Sequence, residues 1–175
     1  MRKVGLLLFL TALVAVPAMG QDEYPKAEIF GGFSYMNFDS GVGDPRYNAV
    51  GWQASVAGNF RKNVGIVGDF GGQYKSLEGT RLWVYEYLFG PRFYYRTEKS
   101  TVFAHTLFGA ATAGGGGGDT STAFAMGYGG GVDVKISDRL AFRVMQVDYL
   151  PTHIGGIWEH NFRLGVGIVF TSGKK

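Results

Sequence analysis

The chain has 175 residues, no cysteine, 29 glycines, 15% aromatic residues and a formal charge of +3 from 17 basic and 14 acidic side chains. The lack of cysteine excludes a disulfide framework, thiol chemistry and thiolate metal sites. Two of the basic residues, Arg2 and Lys3, belong to a leader-like start, so 15 basic face 14 acidic residues in the remainder and nothing marks a nucleic-acid partner. In that start, an apolar run over residues 5–16 is followed by Ala18-Met19-Gly20, the pattern of a cleaved secretory signal over residues 1–20. The run is shorter than the roughly 20 apolar residues of a spanning helix. No later stretch approaches that length, so residues 21–175 form one domain that can cross a membrane only by strands.

Eight segments of period-two alternation follow. Residues 27–37 set Ile29, Phe33 and Tyr35 against Glu28, Gly32 and Ser34; residues 49–60 set Trp52, Ala54, Val56 and Phe60 against Gln53, Ser55, Ala57 and Asn59. In 64–75 the faces are Val64, Ile66, Phe70 and Tyr74 against Asp69, Gln73 and Lys75. In 81–96 they are Trp83, Tyr85, Tyr87, Phe89, Phe93 and Tyr95 against Glu86, Arg92 and Arg96. Residues 101–111 oppose Val102, Ala104, Thr106 and Phe108 to His105, Leu107 and Gly109. Residues 123–136 oppose Phe124, Met126, Tyr128, Val132 and Val134 to Gly127, Gly129, Gly131, Asp133 and Lys135. In 140–150 the phase slips near Met145, from Phe142 and Val144 to Val147 and Tyr149, which predicts a β-bulge. The last segment, 158–170, alternates Phe162, Leu164, Val166, Ile168 and Phe170 with Asn161, Arg163, Gly165, Gly167 and Val169.

The bulky apolar faces suit lipid better than water. Each segment reaches the roughly 9–11 residues of a tilted membrane-crossing strand, and an even count puts both termini on one side. The connections alternate: 61–63, 97–100 and 137–139 read as tight polar turns, whereas 38–48, 76–80, 113–122 and 151–157 read as mostly longer, glycine-rich loops. Short turns belong to the periplasmic side and long loops outside. Trp52, Trp83 and Trp158 fall just after the expected external loops and Tyr35, Tyr74 and Tyr149 just before them. Phe60, Phe93, Tyr95, Phe142 and Phe170 crowd the other ends, so two interfacial aromatic girdles are expected.

Arg163, Gly165, Ile168 and Phe170 resemble the C-terminal signal by which bacterial outer-membrane barrels are recognised for assembly, with Thr171 to Lys175 following the aromatic. The stretches GWQASVAGNF, YLFGPRFYYR, VFAHTLFGA, GGGVDVKIS and FRVMQVDYL resemble the single-domain OmpA/OmpX-like outer-membrane β-barrel family over roughly residues 25–171. The resemblance implies an all-β fold, an eight-stranded antiparallel up-and-down barrel, in the Gram-negative outer membrane. Nothing after Phe170 resembles a peptidoglycan-binding domain.

A barrel of this size is filled by its own side chains. The inward Glu28, Asp69, Glu86, Asp133, Asp148 and Glu159, with Lys75, Arg92, Lys135, Arg143, Arg163 and His105, are therefore expected to form an interior charge network. In particular, Arg92, Arg143 and Arg163 should pair with carboxylates. The run 114–118 lacks the Lys-Ser/Thr end of a phosphate loop, and no metal cluster, cofactor or catalytic set is expected. His105, His153 and His160 read as an interior partner, a loop residue and a girdle residue. The leading expectation is a non-enzymatic barrel with a structural or surface-interaction role. Its partners would be outer-membrane lipid, the outer-membrane assembly machinery and an extracellular ligand at 38–48 and 113–122. A narrow porin, a lipid A-modifying enzyme and a soluble lipocalin-like carrier are the alternatives.

Overall fold

A computed structural model describes residues 24–39, 46–77, 79–116, 118, 120–154 and 156–174. The expected leader and residues 40–45 lie outside this set. The strands are β1 (Pro25–Phe38), β2 (Tyr47–Arg61), β3 (Val64–Leu77), β4 (Thr80–Arg96), β5 (Ser100–Gly115), β6 (Ser121–Ser137), β7 (Leu140–Ile154) and β8 (Ile157–Lys174). Each pairs antiparallel with the next and β8 returns to β1, closing the barrel. Closure leaves no strand edge unpaired, which both a bilayer and a glycine-rich sheet require.

Alternation decides which face turns in. Along β2, Gln53, Ser55, Ala57 and Asn59 are buried while Trp52, Val56 and Phe60 are exposed. The outward band continues around the barrel through Ile29, Phe33, Ile66, Phe89, Phe108, Leu164 and Phe170, with Phe33 and Phe89 each 53% exposed. Soluble monomers rarely carry an apolar patch of that extent. A lipocalin-like carrier would need these faces inside, so that alternative fails.

The phase slip in β7 is a bulge. Its register shifts between Arg143 and Gln146 against β8, and Val144 and Met145 both face outward. The extra residue keeps Arg143, Gln146 and Asp148 all in the interior. Two prolines also interrupt the ladder, each on one side of its strand only. Around Pro91 the β4–β5 ladder passes from Phe89↔Phe108 to Arg92↔His105, and around Pro151 the β6–β7 ladder passes from Ala125↔Thr152 to Tyr128↔Tyr149. Proline has no N–H to donate.

Three expected external loops are largely strand. β3 and β4 are separated only by residues 78–79, β7 and β8 only by 155–156, and β5 and β6 by 116–120. Gly79 and Gly156 take φ of 82° and 86°, the left-handed conformation that tight hairpin turns demand of a glycine. The Gly, Thr and Pro residues that read as loop keep pairing, as in Trp83↔Gly114, Thr112↔Thr122 and Pro151↔His160. The strands hold 14 to 18 residues, more than the roughly 9–11 that a tilted strand needs to cross a bilayer. The segment after Phe170 is likewise strand, with Lys174 opposite Pro25.

Candidate functional site: a charged layer across the barrel

The middle of the interior is a layer of charged and amide side chains. Arg163 of β8, 0% exposed, is its centre. Its Nη2 donates to Asp69 Oδ1 and to Asp148 Oδ2, each at 2.7 Å, its Nε to Asp148 Oδ2 at 3.0 Å, and its Nη1 to Glu86 Oε2 at 3.5 Å. One guanidinium thus ties β3, β4 and β7 to β8. Its planar fork of five donors suits that geometry, which the point charge of a lysine could not supply.

A second pair forms between Arg143 and Asp133, neighbours across β6 and β7, through Nε at 2.7 Å and Nη2 at 3.0 Å. The two centres are joined by Gln146, which accepts from Arg143 Nη1 at 2.7 Å and donates to Asp148 Oδ2 at 2.8 Å. Gln53 donates to Asp69 at 2.9 Å. Nearer the termini, Glu28 pairs with Arg96 at 2.7 Å and accepts from Asn59 at 3.0 Å.

The strand register explains how these groups meet. Arg92, His105, Gly129, Asp148 and Arg163 lie side by side on β4, β5, β6, β7 and β8. Gly129 stands between His105 and Asp148, and because it has no side chain His105 Nε2 reaches Asp148 Oδ1 at 2.8 Å over the intervening strand. A Cβ on Gly129 would lie 2.1 Å from that oxygen. Gly71 acts in the same way between Gln53 and Glu86: its Cβ would fall 2.0 Å from Glu86 Oε2.

Arg92 departs from expectation. It is buried, but among the described residues its polar partner is His105 Nδ1 at 3.3 Å, not a carboxylate. A guanidinium can only donate, so His105 Nδ1 is the acceptor and Nε2 carries the proton given to Asp148. Arg92 also lies 4.5 Å from the centre of the Phe103 ring. Arg143 shares that ring at 4.3 Å and lies 4.1 Å from Phe30, so aromatic faces take part of the task assigned to acids. Phe30 and Phe103 were absent from the expected interior, although their parity with Glu28 and His105 places them there. Glu159 also departs from expectation: it stands half-buried at the end opposite the termini, apart from the layer. Lys135 turns to the other end and donates to Thr97 O at 2.8 Å.

On the outward face, Trp52, Trp158 and Tyr35 are exposed, whereas Trp83, Tyr74 and Tyr149 are half-buried among neighbours. Tyr74 joins Trp52 through its hydroxyl at 3.4 Å and meets Tyr85 edge-on, while Trp83 lies 5.0 Å from Tyr85. Tyr149 hydrogen-bonds His160 and packs on Phe162, and His153 lies 4.8 Å from Trp158. Of the C-terminal residues, Arg163 and Gly165 face inward and Ile168 and Phe170 outward. Gly165 leaves room for the Gln53 amide, which its Cβ would approach to 2.4 Å.

Residues 6–170 match the family described as outer membrane protein beta-barrel domain. Among solved structures the chain resembles the attachment invasion locus protein Ail of Yersinia pestis, with 17% identity over 86% of this chain and 100% of that one and a TM-score of 0.59. It also resembles the neisserial surface protein A, NspA, at 11% identity over 86% and 99% with a TM-score of 0.66. The N-terminal barrel of Pseudomonas aeruginosa OprF follows at 10% identity over 83% and 97% with a TM-score of 0.55. At such identities these likenesses concern the fold. No curated protein sequence matches the chain. The closed eight-stranded barrel with its lipid-suited outer band and the match over nearly the whole length make this chain a member of the outer membrane protein beta-barrel domain family.

Proposed function

We propose that the protein is a non-conducting, non-enzymatic outer-membrane barrel that acts as a structural element and presents its external connections to the surroundings. The carrying observation is the Arg163 junction, where one buried guanidinium meets three carboxylates from three other strands. Such a layer fills a lumen that is already only side-chain wide, and ion passage would require breaking it. The histidines support the non-enzymatic reading, since His105 spends both ring nitrogens within the layer and His160 is bonded to Tyr149. An extracellular partner is supported by Ail, a relative in fold that was crystallised with the heparin analogue sucrose octasulfate. Here residues 39–46 and 116–120 are the longer external connections. Protein reconstituted in a planar bilayer is expected to show no stable single-channel conductance. Large, steady, ion-selective currents would replace this reading with the narrow-porin one.

The aromatic residues Tyr35, Trp52, Tyr74, Trp83, Tyr149 and Trp158 are proposed as the outer interfacial girdle, and Arg163, Gly165, Ile168 and Phe170 as the signal read by the assembly machinery. Phe170 gives the clean test, because it is 58% exposed on the lipid face and takes no part in the interior layer. Phe170→Ala is expected to lower the amount inserted in the outer membrane. Removal of residues 173–175, which shortens only the end of the β1–β8 ladder, is expected to leave it unchanged. Equal insertion of the two variants would remove the signal assignment.

A further inference from the structure

Above the charged layer, toward the end opposite the termini, the interior changes character. A cavity of about 330 Å³ lies there, reaching strand-end residues such as Phe38, Tyr47, Leu82 and Ile154. Its wall is mostly apolar, with Met36, Leu88 and Leu150 among its buried members. The volume arises from side-chain size: Ala49, Ala111, Ala113 and Ala125 face the lumen here, where the layer beneath carries arginines. A closed hydrogen-bond ladder fixes the circumference of a barrel, so its wall cannot collapse onto small residues as packed helices partly do. An engineered apolar cavity of about 150 Å³ stays dry and binds benzene. This one is more than twice as large and in the range of small-molecule sites.

The charges around it are balanced. At the rim, where a head group would sit, Lys75 and Glu159 differ in sign and Asp39 is faced by Arg46 at 3.6 Å, while Glu86 at the floor shares Arg163 with Asp69 and Asp148. A charged head group therefore gains no net attraction, whereas an aliphatic body gains the apolar wall. The closed strand order separates the cavity from the bilayer, which makes the aqueous end its entrance.

We propose that the external half of the barrel is a binding vestibule for an uncharged, water-borne aliphatic molecule, seated above the Arg163 layer among Met36, Leu88, Ala111, Ala125 and Leu150. This goes beyond the structural role proposed above and rests on the same orientation in the membrane. The test uses full-length mature protein refolded into detergent-free lipid nanodiscs, titrated with 1-decanol and with decanoate against empty nanodiscs. Methyl resonances of Leu88 and Leu150 report the site.

Saturable 1-decanol binding that shifts those methyls is expected, with decanoate weaker. The cavity-filling variant Ala111→Leu/Ala125→Leu should weaken binding by roughly tenfold or more, because the added methylenes occupy the ligand's place. If that double variant does not fold, Ala125→Val alone is expected to weaken binding measurably. Binding no greater than partition into empty nanodiscs, unchanged binding by the folded filled variant, or tighter binding of decanoate than of decanol would overturn the proposal. So would a tightly held membrane lipid that 1-decanol cannot displace. Failure of these tests with a folded, non-conducting barrel leaves the structural reading standing, whereas a conducting barrel removes that reading independently.

Discussion

Arg163→Met is expected to unfold at much lower urea than the wild type when both are refolded in liposomes, with a loss of about 3–5 kcal/mol, the usual cost of removing one partner from a buried ion pair. The side chain is wholly buried, and its removal leaves Asp69, Glu86 and Asp148 facing one another without their shared cation. Methionine keeps most of the volume, so the effect reports charge and hydrogen bonding instead of a void. Because Arg163 also belongs to the proposed assembly signal, equilibrium unfolding of refolded barrel is the proper readout, not yield in cells. Adding Asp69→Asn and Asp148→Asn to the methionine variant should recover part of the loss, since two of the orphaned charges are then gone. An unchanged midpoint for Arg163→Met would show that the layer does not depend on its central cation.

Gly129→Ala is expected to be the most damaging of the single-methyl additions in this layer. The new Cβ would lie 2.1 Å from Asp148 Oδ1 and 2.4 Å from the backbone oxygen of Val147. The side chain of Asp148 must move, and with it the bond from His105. Overpacking of a filled interior costs about 1–3 kcal/mol, and a hydrogen bond to a charged group contributes about 1.5–3 kcal/mol in addition. Gly58→Ala is the control, for a Cβ there meets nothing within 4 Å. Urea midpoints within error of each other for the two variants would refute the bridging role given to Gly129.

Much of the architecture was legible because lipid and lumen impose opposite demands on alternate residues. The uninterrupted outward set of β8, from Phe162 to Phe170, and the phase slip at Met145 both follow from that demand. Strand ends were misread where Gly114, Thr122 and Pro151 gave turn-like composition to residues that still pair or extend the ladder. The inward parity of the charged residues was readable, but their partners depend on register, which one sequence does not determine. Arg92 illustrates the point: the residue beside it on β5 is His105, and its further support is the Phe103 ring. The external vestibule was invisible for a different reason. Alternation counts alanine as apolar whether or not its neighbours fill the space it leaves.

The Arg163 junction also bears on the order of events during folding. Its contacts to Glu86 and Asp69 join residues 77 and 94 positions apart, and the cation arrives on the last strand of the chain. Until β8 is in place, the carboxylates of β3, β4 and β7 have no common counter-charge, so a seven-stranded sheet gains nothing from holding them together. Long-range closure of this kind slows folding, because chain entropy is lost before the contact is made. It also makes the final step all-or-none: the strand that seals the barrel is the one that brings these three carboxylates their shared counter-charge.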